Sequence, residues 1–113
     1  MKITIQRLHP SINEWKGWHY HKYNNEKKSW NEEMFYVTRG IEGIEGKVEV
    51  VVKYYFKTKQ KRDLDNYTPK FIMDSLVHAC VIEEDNSSIV TKLSVEILHD
   101  KDNPRTEILI TKV

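Results

Sequence analysis

Residues 47–57 read KVEVVVKYYFK and form the clearest strand pattern in the chain. Apolar side chains recur at every second position, and such residues lie on one face of an extended strand. The positions on this face are Val48, Val50, Val52, Tyr54 and Phe56. Glu49, Lys53 and Lys57 fall on the opposite face, so the pattern predicts a strand with one buried side and one polar side.

Three shorter alternating stretches predict further strands on both sides of this one. They are ITIQRL at 3–8, IVTKLSVEIL at 89–98 and RTEILITK at 105–112. The polar residues DKDNP at 100–104 separate the last two stretches, and this arrangement predicts an antiparallel hairpin.

The first predicted helix begins at the sequence SWNE, in which Ser29 and Glu32 have the spacing of a capping box. It is expected to run to about Arg39, with Gly40 as a left-handed terminator. Its expected inner face consists of Trp30, Met34 and Val37. The residues before this helix, from 14 onward, are expected to form a polar and aromatic loop.

The second predicted helix begins with Thr68 as its N-cap and Pro69 at its first helical position. Its sequence is PKFIMDSLVHAC, and one stripe of it contains Ile72, Leu76, Ala79 and Cys80. Cys80 is the single cysteine, which excludes an internal disulfide framework. We expect Cys80 to be a small buried hydrophobic residue near the helix end.

Together these elements predict an α+β fold. We expect a single domain over residues 1–113, with a mixed or antiparallel sheet of about four strands and two helices mainly on one face. The content of 39% hydrophobic and 31% charged residues is typical of a globular protein. No apolar run has the length of a bilayer span, and MKITIQRLHP has no apolar signal stretch. We therefore expect a cytoplasmic protein with no membrane partner.

Positive charge is concentrated in two stretches, although the formal net charge is only +1. The first, KYYFKTKQKR at 53–62, contains no acid, and the second, EWKGWHYHKYNNEKKSW at 14–30, mixes lysines with aromatic rings. Cations beside rings favour a nucleic-acid-binding surface; the alternative is a solvated loop whose rings pack on the core. The candidate DNA-binding residues are Lys57, Lys59, Lys61 and Arg62 from the first stretch, and Lys22, Lys27 and Lys28 from the second.

The sequence KRDLDN at 61–66 follows the first basic stretch and places Asp63 and Asp65 two positions apart. In an extended chain both carboxylates leave the same face, so either solvent screens their repulsion or a cation lies between them. Mg²⁺ prefers oxygen ligands and commonly binds one or two carboxylates together with substrate phosphates. A further acidic cluster, at 83–85, follows the second helix. Spacing alone leaves open whether this cluster approaches Asp63 and Asp65.

Lys70 lies in the first turn of the second predicted helix, where the helix dipole disfavours a cation. Such a lysine either serves a scissile phosphate or extends into solvent. Other metal sites have weaker support. Thr68 occupies the position where an EF-hand needs glycine, and His19 and His21 lack further zinc ligands in the sequence.

The ordered combination of these motifs resembles the RusA family of Holliday junction resolvases. It comprises RDLDN at 62–66, Lys70 in the next turn, an amphipathic helix, EEDNS at 83–87 and a following strand. PSIN at 10–13 is similar to the family's N-terminal P-S-x-N element. The resemblance implies a RusA-like fold and an endodeoxyribonuclease of DNA recombination and repair. It also implies that a homodimer resolves branched, four-way DNA with Mg²⁺, for which Mn²⁺ can substitute.

The resemblance also implies the roles of individual residues. The family's three metal-binding aspartates match Asp63, Asp65 and Asp85, its catalytic lysine matches Lys70, and Glu84 is the alternative third carboxylate. The spacing to Lys70 and Asp85 is one residue longer than in the best-known member. The implied mechanism is in-line attack by a metal-activated water, with Lys70 stabilising charge at the phosphate. Two alternatives are a non-cutting DNA-binding phage accessory protein and a less selective branched-DNA nuclease.

Overall fold

Strand β2 (Val48–Phe56) lies inside a four-stranded mixed sheet. The structure is a computed structural model that describes residues 1–113. Strand β4 (Arg105–Lys112) pairs antiparallel with one edge of β2, and β1 (Lys2–Ile5) pairs antiparallel with β4. Strand β3 (Val90–His99) pairs parallel with the other edge, so the order is β1-β4-β2-β3. The predicted α+β class with a mixed sheet of four strands is confirmed.

The alternating side chains of β2 form the middle of the core, as their spacing predicted. All five apolar residues on that face, from Val48 to Phe56, are buried, with Phe56 the most exposed at 8%. Burying one such side chain contributes about 1.5–3 kcal/mol, so this strand is a large part of the stability. The helices that cover the core are α2 (Tyr20–Thr38) and α3 (Lys70–His78).

Two short helices join these elements. They are α1 (Ile12–Trp15), which precedes α2, and a 3₁₀ helix at Leu64–Tyr67, which precedes α3. The structure therefore has three α-helices where the sequence pattern predicted two. No helix combines the length and the apolar character needed to cross a membrane.

The predicted hairpin between β3 and β4 is wrong. Both strands pair with β2 on opposite edges: Val52 faces Val95 of β3 and Ile108 of β4. The connector at 100–104 passes the end of β2, where the Asp100 N–H donates to the Phe56 carbonyl at 2.9 Å. Five residues reach about 16 Å, which exceeds the roughly 10 Å across two strand spacings. The connector is therefore long enough either for a hairpin or for a crossing over the end of β2. The crossing is observed because β3 and β4 each pair with a different edge of β2.

The predicted start of the first helix at Ser29 is also wrong. Helix α2 begins at Tyr20, so much of the expected loop at 14–30 is helical and Ser29 lies in the helix interior. The Ser29 hydroxyl accepts a hydrogen bond from Arg7 at 2.9 Å instead of capping the helix. The predicted end is confirmed, since α2 ends at Thr38 and Gly40 has a left-handed φ of 78°.

Helix α3 begins one residue later than its sequence predicted. Pro69, and not Thr68, is the residue before the first helical position, which Lys70 occupies. The buried stripe is wider than predicted and consists of Phe71, Ile72, Met73, Ser75 and Leu76. Cys80 is exposed with a φ of 60°, so the expectation of a buried Cys80 is wrong. The chain turns out of the helix at this residue, and burial resumes at Val81.

A buried histidine joins the segment after β1 to the central strand. His9 is 4% exposed, and its Nδ1 lies 2.8 Å from the carbonyl oxygen of Pro10. Because a carbonyl only accepts, Nδ1–H donates there, and Nε2 accepts from the Tyr54 hydroxyl. Burial lowers the pKa of His9, which outweighs the opposite effects of Pro10 and Glu26. His9 is therefore held neutral in the folded protein.

We expect the protein to lose stability below about pH 6.5, the ordinary pKa of a histidine in the unfolded chain. Below this pH, His9 binds a proton in the unfolded chain but not in the folded protein. The free energy of unfolding therefore falls with pH until the pH reaches the lowered pKa of folded His9. Urea denaturation between pH 7.5 and 5.5 measures this, with a slope from this group of up to about 1.4 kcal/mol per pH unit. His9→Asn should flatten the dependence, and His21→Asn is the control. An unchanged slope in His9→Asn would contradict the assignment.

Candidate active site

Asp65 lies on a 3₁₀ helix that the sequence did not predict, and Asp63 is the residue before this helix. Strand β2 ends at Phe56, and the chain from there to Asp63 is exposed except for the half-buried Arg62. The Asn66 N–H donates to the Asp63 carbonyl at 3.1 Å, which closes the turn. Both carboxylates are exposed. They are therefore available to a ligand from solvent, although they do not lie on an extended strand.

Residues 63–67 form what we call the acidic turn. Two of its residues anchor it to the rest of the fold. The Asn66 side chain accepts a hydrogen bond from the Asn13 N–H at 2.9 Å, which joins the turn to α1. Tyr67 packs edge-on against Phe56, with ring centroids 5.1 Å apart, and lies 6.0 Å from the ring of Tyr54. The PSIN and RDLDN motifs are therefore in contact. The turn that carries the two aspartates is fixed at both of its later residues.

Asp85 is brought to a different carboxylate, Asp74. The two side chains line one surface pocket, and Asp74 lies on α3 one helical turn after Lys70. The Lys27 ammonium of α2 lies 4.0 Å from the Asp74 carboxylate. Burial raises the pKa of Asp74 and the Asp85 contact adds to this rise, while Lys27 and Lys70 oppose it. Asp74 therefore connects Asp85 to two lysines.

A surface pocket of about 310 Å³ lies at this contact. Its lining residues are Lys27, Asn31, Asp74, Val77, His78 and Asp85. The side-chain oxygen of Asn31 is buried there without a hydrogen-bond partner. An unpaired buried acceptor costs free energy, so this wall of the pocket favours a donor or a bound water.

The predicted acidic triad is not gathered in the structure. No group of three His, Cys, Asp or Glu side chains lies close enough to hold a metal ion. The structure places Asp63 and Asp65 on one turn, and Asp85 beside Asp74. The donors themselves fit a hard divalent cation, because all four are carboxylates and no soft ligand lies among them. Asp85, and not Glu84, lines the pocket together with Asp74.

Sequence reasoning missed Asp74 as a member of this site. The available signal was its position four residues after Lys70, which places both side chains on one helix face. Its partner Asp85 is eleven residues further on, beyond the turn at Cys80. Only the return path of the chain brings these two carboxylates together.

The candidate DNA-binding cations differ in whether their charged groups already contact other residues of the protein. Lys57, Lys59 and Lys61 are exposed, and so is Lys28 on α2. Arg62 lies over the Phe56 ring at 3.9 Å and donates to the carbonyl and hydroxyl of Thr58 at 3.0 Å each. Arg62 therefore holds the loop in shape, and the three exposed lysines beside it form what we call the basic rim.

The two remaining candidates on α2 also have partners. Lys22 lies over the Trp18 ring, with its ammonium 4.4 Å from the ring centroid, and Lys27 pairs with Asp74. Both are still exposed enough to reach a second group. Their ring and carboxylate partners limit where the ammonium groups can lie.

Comparison with known proteins identifies the family. No curated protein matches the chain. The family model described as Endodeoxyribonuclease RusA matches residues 6–111 of the 113, which include the acidic turn, Lys70, Asp74 and Asp85. The match confirms the resemblance seen in the sequence. The chain therefore belongs to the RusA family of endodeoxyribonucleases, which are divalent-metal-dependent Holliday junction resolvases.

Proposed function

We propose that this protein cuts four-way DNA junctions by paired, Mg²⁺-dependent phosphodiester hydrolysis, with Mn²⁺ as a substitute. The observation that carries the proposal is that Asp85 and Asp74 line one pocket, while Asp74 shares its face of α3 with Lys70. Following the family resemblance, we assign the ion to Asp63, Asp65 and Asp85, which do not form one group in the structure. When bound, it would activate water and offset the charge that develops on the phosphodiester.

The side chains around these acids have distinct tasks in this proposal. Lys70 is exposed at the first position of α3, where its ammonium and the positive end of the helix dipole attract one phosphate. The basic rim draws the DNA backbone towards the acidic turn. Asp74 is a positioning residue, since its contacts limit the orientations of Asp85 and Lys27.

We further propose that two copies of the chain act as a homodimer in the cytoplasm. A four-way junction has two equivalent strands to cut, and a two-fold dimer presents one site to each strand. Both edge strands, β1 and β3, have one unpaired edge, and β3 carries the exposed residue Leu93. These edges are the available places for strand pairing between copies.

The experiment that tests the function compares a synthetic four-way junction with a linear duplex and a flap of the same sequence. We expect paired nicks in the junction that require Mg²⁺ or Mn²⁺ and little cutting of the duplex. Junction binding without cutting at any metal concentration would support a non-cutting accessory protein. Equal cutting of all three substrates would support a less selective nuclease.

Asp74→Asn is expected to slow junction cleavage about 10- to 100-fold and to raise the Mg²⁺ concentration at half-maximal rate. The change leaves junction binding intact because the basic rim is untouched. Stability should not fall, since burial already disfavours the charged form of Asp74 in the folded protein. Single-turnover cleavage and urea denaturation measure the two effects.

Glu84→Gln is the matched control, because Glu84 is exposed and neighbours Asp85 in sequence. It should retain the wild-type rate and Mg²⁺ dependence. If Glu84→Gln reduced the cleavage rate more than Asp74→Asn does, the third metal-binding carboxylate would be Glu84 and not Asp85.

A further inference from the structure

Four aromatic side chains surround a second surface pocket of about 340 Å³, between α1 and the start of α2. Its lining residues are Trp15, Lys16, Trp18, Tyr20 and Tyr23, which we call the aromatic pocket. Trp15 and Tyr23 form its base, with ring centroids 5.3 Å apart, and both pack against the core. Tyr20 is 70% exposed and Trp18 is half-buried. The rings on the rim are therefore open to a ligand.

The chemistry of the aromatic pocket fits a nucleotide. Flat rings provide a stacking surface for a base, and stacking of this kind tolerates any base. Lys22 lies over the Trp18 ring at 4.4 Å, and Lys16 is exposed on the lining. One ammonium over a ring face and a second on the pocket lining attract the phosphates beside a stacked base.

The aromatic pocket packs against the two elements that carry the proposed cleavage site, helix α3 and the acidic turn. The rings of Trp15 and Tyr23 lie 6.2 Å and 5.3 Å from the ring of Phe71, the residue that follows Lys70. On the other side, the Asn13 N–H at the start of α1 donates to Asn66 of the acidic turn. The helix that carries Trp15 is therefore tied to the turn that carries Asp65.

We infer that the aromatic pocket receives an unstacked nucleobase next to the phosphate that is cut. Bases at the centre of a four-way junction lack a continuous stacked neighbour, so turning one into the pocket costs less there than in a duplex. The inference rests on the proposed function and adds to it a reason why branched DNA is selected over linear DNA.

The test measures junction binding and base stacking without cleavage, in EDTA, with wild type and the double variant Trp18→Ala, Tyr20→Ala. A junction with 2-aminopurine at the branch point reports stacking through loss of its fluorescence, and a junction labelled within an arm is the reference. We expect wild type to quench the branch-point probe more strongly than the arm probe. The double variant should lose this difference and bind the junction about tenfold more weakly.

The chain offers a matched control at the other end of α2. Phe35 and Tyr36 are 63% and 62% exposed, and Arg39 lies 4.4 Å over the Tyr36 ring. Tyr36 is about 24 Å along the helix from Tyr20, so Phe35→Ala, Tyr36→Ala removes two exposed rings far from the site. This control should bind and quench like wild type. Trp18→Phe, Tyr20→Phe keeps the rings and should restore both readouts.

The outcomes separate the pocket from the function. Equal losses in the test and control variants, or unchanged quenching in Trp18→Ala, Tyr20→Ala, would overturn the nucleobase assignment even where wild type cuts junctions. A wild type that quenches the branch-point probe but does not cut would support the pocket and contradict the proposed nuclease mechanism. Failure of Trp18→Phe, Tyr20→Phe to restore quenching would contradict a stacking role.

Discussion

Asp65→Asn is expected to reduce metal-dependent junction cleavage by more than about 100-fold, beyond the loss expected for a residue that only supports a ligand. Asparagine keeps the shape and one oxygen of the side chain but removes the negative charge that holds a divalent cation. Because Asp65 is exposed, the free energy of unfolding should change by less than about 0.5 kcal/mol. Junction binding should persist or tighten, since one charge that repels phosphate is lost.

The matched control is Asp102→Asn, which removes one exposed aspartate from the connector before β4. It should cut at the wild-type rate. Single-turnover cleavage of a labelled junction, together with binding in Ca²⁺ or EDTA, separates the chemical step from affinity. Wild-type cleavage by Asp65→Asn would contradict the assignment of the metal to the acidic turn.

Lys70→Met is expected to slow cleavage about 100-fold at saturating protein, with little change in junction affinity. The expectation follows from its position, since a single ammonium at the N-terminus of α3 stabilises charge on one phosphate more than it adds to total binding. Stability should not decrease, because the helix dipole disfavours a cation at this end. Lys70→Arg should recover part of the rate, as it restores the charge with a different geometry.

Lys61→Met is the comparison for Lys70→Met, because Lys61 belongs to the basic rim and is exposed. Its loss should weaken junction binding and reduce the salt dependence by about one counterion, while the rate of the bound complex stays near wild type. The same profile in Lys70→Met, with weaker binding and an unchanged chemical rate, would place Lys70 in the rim and not at the cut.

The parts of the fold that follow from local patterns were predictable from the sequence. The alternation from Val48 to Phe56 specifies a half-buried strand regardless of its neighbours, and the structure confirms it. The edge that each neighbour chooses is not a local property. For this reason the sequence placed β3 beside β4, whereas both pair with β2.

The predicted helix start was wrong where a side chain bonds to a residue that is distant in the sequence. Ser29 has the spacing of a capping residue, but Arg7 uses its hydroxyl and the helix begins earlier. The capping box that forms in the structure joins Ser11 of the PSIN element to Glu14, the residue after it. A pattern of residue types predicts that a cap can form, while the tertiary contacts decide which one does.

The candidate site also has one part that local sequence predicts and one part that it does not. Asp63, Asp65 and Lys70 come from one continuous segment, so the sequence predicted them as neighbours. The contact between Asp74 and Asp85 depends on the turn after α3, where Cys80 takes a left-handed conformation and Val81 returns to the core. Spacing along the chain does not contain this information.

We propose that one cation is shared by the acidic turn and Asp85, although these carboxylates do not form one group in the structure. Paramagnetic broadening of backbone amide NMR signals by substoichiometric Mn²⁺ tests it directly. We predict that signals at 63–66, 70 and 84–86 broaden together at the same Mn²⁺ concentration, and that Asp65→Asn removes the broadening at all three places. Broadening confined to 63–66, with the Asp85 signal unchanged, would contradict a shared ion.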